Sequence, residues 1–587
     1  MQLGISKKYF KKKKESALIM RKQTKLVAVL STAALLALGA SMSSFAATGW
    51  QEENGTWVYY DKSGDLETEK WEKSGDNWFY LNEDGEMATD VVVEFSDNYY
   101  YVDENGAMVA NKWVSVENDD YDGGDDDDEE PMNHWYYFGS NGKAFKSSSN
   151  GNTASFKTVN GKKYVFDDEG KMLYGWIDDS GERVTGDDKW RDGIYYCGDE
   201  NDGAQKVGEW AYLDIVDNSY DSAVDPGVSS DNLFDDEDQT RYFYFKTNGK
   251  KMIDEKGKTI NGKKYSFDEY GRMNAEWVNW EATPTEAEAT LSTATDAQGG
   301  SKYTSGFRYY GSPDDGARVT KGWFQVVPDS YLNKDDYDDD ESNWYYSDKD
   351  GKLVASEIKT INGKKYAFDS YGVMKDGLVA IKFIGNSTTD IDDVAGDDDL
   401  DKYHFDTEDN FKENVSDLYT DADANYRLYY FGSDNDGAMK TGKQNVTIDG
   451  DSFQFLFNKS GSSKGQGKFG VDSDKYYLGG MLLKADKDDK YSVVKATTVD
   501  GEYTEIKLLT TEKFLDDVEY EKVTEKGCSE YYKVDAADKK VDNKTVTYRL
   551  VNTSGSVQKS KSKAKDGDDR CYKVESNKVI TAVFVED

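Results

Sequence analysis

Histidine occurs only twice, cysteine three times and proline five times in 587 residues. Two histidines leave no room for a repeated His-based metal site or catalyst. Three cysteines cannot make a dense disulfide scaffold. Basic residues are also short, with 73 Lys+Arg against 114 Asp+Glu and a formal net charge of −41. That balance argues against nucleic acid or an anionic membrane as partner, because both need a basic surface. Hydrophobic residues make up 37% of the chain, sparse for the several aliphatic cores that such a length normally implies. What is present is aromatic: 43 Tyr, 25 Phe and 13 Trp, alongside 53 Gly. A chain this rich in rings does not read as disordered despite its acidity. It reads as many short β-hairpins held together by aromatic side chains.

The first residues have the order of an export signal. Lys7, Lys8, Lys11 to Lys14, Arg21, Lys22 and Lys25 precede an apolar run from Leu26 to Ala40, and Ser44-Phe45-Ala46 offers small residues at −3 and −1 of a cleavage site. Cleavage is expected after Ala46, so residues 1–46 are read as a signal peptide, with Met20 an alternative start. No later run is long enough to span a bilayer, so the expected mature protein is soluble, has no membrane span, and stays on a cell only by non-covalent binding.

From residue 47 to 115 the chain repeats every 21 residues: Trp57, Trp78 and Tyr99; Tyr59, Tyr80 and Tyr101; Gly64, Gly85 and Gly106. Trp50, Trp71, Val92 and Trp113 share another phase. Each unit reads as a strand such as Trp57 to Tyr60, a turn at Asp61 to Gly64, and a return segment. A hairpin this small cannot bury its own face, so neighbours are expected to stack into a solenoid. Residues 116–443 carry a longer composite repeat. Val159-Asn160-Gly161-Lys162-Lys163-Tyr164 recurs 101 residues later from Ile260 and again from Ile361. Aromatic hairpins at Trp135 to Phe138, Tyr242 to Phe245 and Trp344 to Tyr346 precede these units. Acidic insertions at Glu117 to Glu130, Asp231 to Asp238 and Asp335 to Glu341 read as solvated loops. Beyond Lys443 the signature fades, and residues 444–587 read as a small β-rich C-terminal region. The fold class is therefore all-β. Cys528 and Cys571 lie where a disulfide could form after export, with free thiols the equal alternative.

Gly49-Trp50, the run from Gly55 to Tyr60, Gly85-Glu86-Met87 and Gly106-Ala107-Met108 resemble the cell-wall-binding repeats of Gram-positive surface proteins, which include choline-binding modules and glucan-binding repeats. The Asn-Gly-Lys-Lys-Tyr units are similar to the repetitive oligopeptides of large clostridial toxins. The resemblance runs from about Thr48 to Lys443. It implies a hairpin solenoid that binds cell-wall polymer, either teichoic acid choline or a glycan, in aromatic cages between successive hairpins, often beside a Met.

Alternate side chains of a strand point to opposite faces. Counted back from the turn glycine, positions −7 and −5 share one face and hold Trp57/Tyr59, Trp78/Tyr80, Tyr99/Tyr101, Trp135/Tyr137 and Trp344/Tyr346. Positions −6 and −4, such as Val58/Tyr60 and Phe79/Leu81, suit an interior. Trp50, Trp71 and Trp113 could close cages over the first set. Such rings attract a quaternary ammonium by cation–π forces, and equally suit the apolar face of a sugar. The same rings could instead serve only as packing between hairpins. The Asn-Gly-Lys-Lys units carry Lys163, Lys264 and Lys365 at −7, and so read as spacers or as sites for a different ligand.

Other signals are weak. Asn118 to Glu129 resembles a calcium loop, but starts with Asn and lacks flanking helices; weak calcium association with the acidic insertions is the only metal chemistry expected, and no cofactor is. Gly461 to Gly470 matches nucleophile-elbow and dinucleotide patterns inside one Gly/Ser/Lys run, without the required strand-to-helix setting. His134 and His404 read as surface residues. The expectation is a secreted, non-catalytic, wall-associated protein. The alternatives are a repeat-anchored wall hydrolase or glucan-acting enzyme, and a host-glycan adhesin.

Overall fold

The computed structural model describes residues 48–121, 130–147, 153–216, 238–280, 301–395, 403–420, 426–433 and 436–587. The expected signal peptide, most of the Glu117–Glu130 insertion and all but the last residue of the Asp231–Asp238 insertion lie outside these residues. All strand pairing given by register is antiparallel, and most sheets have only two strands.

The chain divides into two compact units. Unit 1 comprises residues 1–218, 237–255 and 267–273, and unit 2 the remainder. Unit 1 opens with four hairpins: Gly49–Glu53 with Thr56–Tyr60, Lys70–Ser74 with Asn77–Leu81, Val91–Phe95 with Asn98–Val102, and Lys112–Glu117 with Asn133–Phe138. The reversal is at Asn54-Gly55, both with positive φ, and not at Asp61 to Gly64 as the repeat pattern suggests. Two consecutive left-handed residues match the right-handed twist of the flanking strands. The Asn160-Gly161, Asn261-Gly262 and Asn362-Gly363 pairs share this geometry.

The Asp61 to Gly64 turn links one hairpin to the next. Asp61 Oδ1 accepts the amides of Ser63 and Asp65 at 2.8 and 2.9 Å, and Asn82 and Asp103 repeat this local turn. The chain then returns to bridge its own strand, as in Leu81 with Met87 and Val102 with Met108. The residue two beyond the turn glycine also donates its amide to the previous hairpin: Met87 to the Trp57 carbonyl at 2.7 Å, Met108 to Trp78 at 2.8 Å, and Met172 to Trp135 at 2.7 Å. Its side chain lies against the turn glycine of the following repeat. A Cβ on Gly106 would stand 2.8 Å from the Met87 sulfur, and one on Gly142 2.5 Å from that of Met108. Glycine is therefore needed there for space as well as for its positive φ.

Unit 2 contains further hairpins, among them Gly322–Val326 with Asn343–Ser347 and Glu357–Ile361 with Lys364–Phe368. Larger sheets follow. A five-stranded sheet pairs Gly442–Ile448, Asp451–Phe457, Met481–Leu482, Lys475–Leu478 and Gly470–Asp472 in that order. A four-stranded sheet centres on Tyr491–Val499 and Lys544–Asn552, and another five-stranded one on Ile580–Glu586. Their cores are largely aliphatic, with Val493, Val494, Leu550, Val551 and Ile580 fully buried.

One open alternative is decided and two local expectations are corrected. Cys528 and Cys571 are free thiols. Their strands flank Ile580–Glu586 on opposite sides, opposite Glu586 and Phe584. Two strand spacings amount to about 9.5 Å, beyond the ~7 Å Cα limit for bridging. The acidic segment at Asp335 is not a plain loop: Lys334–Asp338 is a helical turn, with Asn333 donating to Asp336 at 2.7 Å and Lys334 pairing with Asp338. His134 is not a surface residue; only 14% of its side chain is exposed, and burial lowers its pKa. Two longer helices, Glu408–Asn414 and Thr511–Asp517, are capped by Thr407 and Thr510, a Thr-then-acidic signal that the repeat reading passed over.

Candidate ligand-binding site

The expected inward face is buried at Val58, Phe79, Leu81 and Val102, which are at most 6% exposed, and only half-buried at Tyr60 and Tyr100. The opposite face carries the candidate rings. Register places Trp50 opposite Tyr59, Trp71 opposite Tyr80, Val92 opposite Tyr101, Trp113 opposite Tyr137 and, in unit 2, Trp323 opposite Tyr346. These first-strand tryptophans are staples between hairpins. Trp50 lies 5.4 Å from Tyr59 of its own hairpin and 5.4 Å from Phe79 of the next. Trp71 sits 5.2 Å from Tyr80 and 5.1 Å from Tyr100. Trp113 is 5.2 Å from Tyr137 and 4.8 Å from Tyr164, and Trp323 is 5.0 Å from Tyr346 and 4.8 Å from Tyr366. The Nε1 atoms of Trp50 and Trp71 are buried without a hydrogen-bond partner, a cost that the ring packing must offset. Each edge-to-face contact adds about 0.5–1.5 kcal/mol beyond area burial.

The −7 rings behave differently. Trp57, Tyr99, Trp135 and Trp344 are half-buried, and Trp78 is 41% exposed. Trp135 packs beside Met172 and Phe166, and Trp344 lies 6.5 Å from Trp323. Across the hairpin these rings face Glu52, Lys73, Glu94, Ser115 and Gln325. The Lys73 ammonium stands 5.9 Å from the Trp78 centroid, and the Lys146 ammonium 5.3 Å from that of Tyr99. Both rings therefore present a face that a cation can reach. Tyr101 differs: it stacks on Phe138 and donates to Asp90, which together with burial pushes its pKa far up. At −5 of the Asn-Gly-Lys-Lys hairpins, Val165, Ser266 and Ala367 are at most 1% exposed, so this face is sealed there.

The sequence reading gives Phe79 and Tyr100 to the interior face but not their tryptophan partners: they follow Trp50 and Trp71, respectively, by 29 residues, and this offset was the available signal. Unit 2 also holds a groove of about 510 Å³ lined by Phe453, Leu482 and Tyr491 with Asp486, Asp489 and Asp568. No group of three or more His, Cys, Asp or Glu among the described residues is arranged to hold a metal. The expected calcium association gains no support: Asn118 is buried and turns its side chain to the Pro131 carbonyl and the Asp120 amide. Among the described residues no helix is long and apolar enough to cross a membrane.

Residues 68–113 match the choline-binding repeat family, and residues 48–66 and 132–144 match the cell wall binding repeat family. No curated protein matches the chain. Solved structures with some likeness come from Streptococcus pneumoniae. The modular autolysin LytC is 18% identical over 58% of this chain and 56% of its own, with a TM-score of 0.28. CbpJ is 15% identical over 68% and 99%, with a TM-score of 0.32. Choline binding protein F is 16% identical over 73% and 100%, with a TM-score of 0.27. This chain thus spans 56% of the length of LytC. Residues 48–66, 68–113 and 132–144 are thus similar to cell-wall-binding repeats, the second of these stretches to the choline-binding type.

Proposed function

We propose that the chain is exported by its N-terminal signal and held on the cell wall, without catalysis, by choline groups of the wall polymer captured at the −7 rings of stacked hairpins. The observation that carries this reading is Trp78, a 41%-exposed indole inside the stretch that matches the choline-binding repeat family, whose ring the solvent-exposed Lys73 approaches only to 5.9 Å. A trimethylammonium group cannot donate a hydrogen bond, so ring faces and nearby negative charge are what can hold it. Glu52 and Glu94 lie cross-strand to Trp57 and Tyr99, within a chain of net charge −41. One ring contributes about 0.5–2 kcal/mol, well short of stable retention alone. Repetition along a solenoid, in which the half-exposed face of one hairpin meets the buried face of the next, raises the apparent affinity by roughly 10²–10⁴.

The test is sedimentation with isolated choline-bearing walls, using wild type and Trp57→Ala/Trp78→Ala. Free choline should release the wild-type protein, and the double variant should bind at least ~10-fold more weakly with an unchanged circular dichroism spectrum. Binding indifferent to both choline and the substitutions would refute the reading. Release by sugars alone would replace choline with a glycan, and release of soluble muropeptides would show catalysis.

A further inference from the structure

The position two beyond the turn glycine is Met in Met87, Met108, Met172, Met273 and Met374, each bridging the end of its own strand. Arg183 and Lys251 hold the same place, bridging Ile177 and Phe245. Arg318 holds it as well, since its amide donates to the Lys264 carbonyl at 2.8 Å as that of Met439 does to Lys365. The stems of Lys251 and Arg318 follow the methionine path. A Cβ on Gly271 would meet the Lys251 stem at 2.8 Å, and one on Gly351 the Arg318 stem at 2.8 Å, as Gly106 would meet Met87.

Each of these three cations ends over a ring. The Arg183 guanidinium lies 4.1 Å from the Tyr174 centroid, and that of Arg318 lies 4.8 Å from Trp280. The Lys251 ammonium is 5.1 Å from Trp176 and 6.0 Å from Phe243, and donates to the carbonyls of Trp190 and Arg191. Lys251 is only 3% exposed and Arg318 only 8%. Burial lowers the Lys251 pKa to about 8, which leaves it charged at neutral pH. Burying a cation is costly unless its surroundings compensate. Here carbonyls and ring faces supply the compensation, the same ring chemistry that would hold an ammonium from outside.

We propose that Arg183, Lys251 and Arg318 are built-in substitutes for the external ammonium, so that the rings they cover are closed to ligand and capture is left to hairpins with an uncharged residue at that position and an open −7 ring. This rests on the choline reading above. In the hairpins of Trp57, Trp78, Tyr99, Trp135 and Trp344 the position holds Leu66, Met87, Met108, Ala144 and Leu353, none of which brings a charge to a ring, whereas the three cationic side chains each cover one.

The test is fluorine NMR of the full chain labelled with fluorotryptophan, titrated with choline chloride and assigned by single Trp→Phe variants. Trp57 and Trp78 should shift and saturate, while Trp280 stays unmoved at the same concentrations. The Arg308 guanidinium also lies 4.8 Å from the Trp280 centroid, so the variant that uncovers this ring is Arg308→Met/Arg318→Met, in which Trp280 should become choline-responsive; in Arg318→Lys it should remain silent. If the double variant fails to fold, Arg183→Met with fluorotyrosine read at Tyr174 makes the same comparison. Wild-type Trp280 shifting with the others, or a folded Met variant with a silent ring, overturns the proposal while leaving the choline reading standing. Silence at Trp57 and Trp78 defeats both.

Discussion

Between residues 49 and 138 every sheet has two strands and its rings reach out to the next hairpin, whereas beyond residue 442 the sheets have four or five strands and bury aliphatic side chains. The contrast follows from size. A two-stranded ribbon has too little area to be stable alone, so its half-covered face must be supplied by a neighbour, and a large flat ring such as Trp50 or Trp71 spans that gap best. The broader sheets carry Val493, Val494, Leu550 and Val551 in cores of their own. Between residues 49 and 138 the stack leaves the −7 ring of each hairpin partly open to solvent, from half-buried Trp57, Tyr99 and Trp135 to 41%-exposed Trp78. The residues that match the choline-binding repeat family, 68–113, lie among these ribbons.

That comparison can be broken or sharpened by substitution. The largest effect is expected from Leu550→Ala, a fully buried residue of the four-stranded sheet. It should destabilise unit 2 by about 2–5 kcal/mol in denaturant unfolding. A loss below about 1 kcal/mol would mean that these sheets are not closely packed. Next come two glycines with similar backbone and different surroundings. Gly142 has φ +78° and its Cβ would strike Met108, while Gly161 has φ +84° and open space. Gly161→Ala should cost only the left-handed backbone, about 1–2 kcal/mol, and Gly142→Val should add about 1–3 kcal/mol of overpacking. Equal losses would show that Met108 gives way freely.

A smaller effect concerns pH. Burial raises the Asp167 carboxyl to about 6, whereas backbone amides hold the exposed Asp61 below its ordinary value. The folded state binds the Asp167 proton more tightly than the unfolded chain does. Its stability contribution is therefore fully present below about pH 4 and is lost as pH rises through about 6. Asp61 has the opposite sign, stabilising above its unfolded value and losing that effect as pH falls. Asp167→Asn should flatten the pH 4–6 portion of the local stability curve measured by hydrogen exchange. An unchanged curve would contradict the assignment. The smallest stability change is expected at Trp78: Trp78→Ala should alter unfolding by no more than about 1 kcal/mol, while weakening wall binding.

Much of the repeat architecture was legible because glycine and the ring positions recur at a fixed interval, and alternation told the Phe79/Leu81 face from the Trp78/Tyr80 face. Where the hairpin turns was misjudged: Gly64 looks like a reversal in sequence, but Asn54-Gly55 supplies the two positive-φ residues that one needs. Nor does alternation reveal what covers a face. Trp50 and Trp78 look alike in the repeat, yet Trp50 is pressed on Phe79 and Trp78 is open, a distinction set by the neighbouring hairpin. The cations at Arg183, Lys251 and Arg318 were hidden for the same reason, since their rings are distant in sequence or belong to another element. The C-terminal sheets were visible only as strands, because aliphatic alternation does not encode which strand pairs with which.

Crystals soaked in choline would test the central claim most directly. The account predicts trimethylammonium density against the Trp57 or Trp78 face of the N-terminal hairpins. Density confined to the groove beside Phe453, Leu482 and Tyr491, with the −7 rings bare, would contradict it.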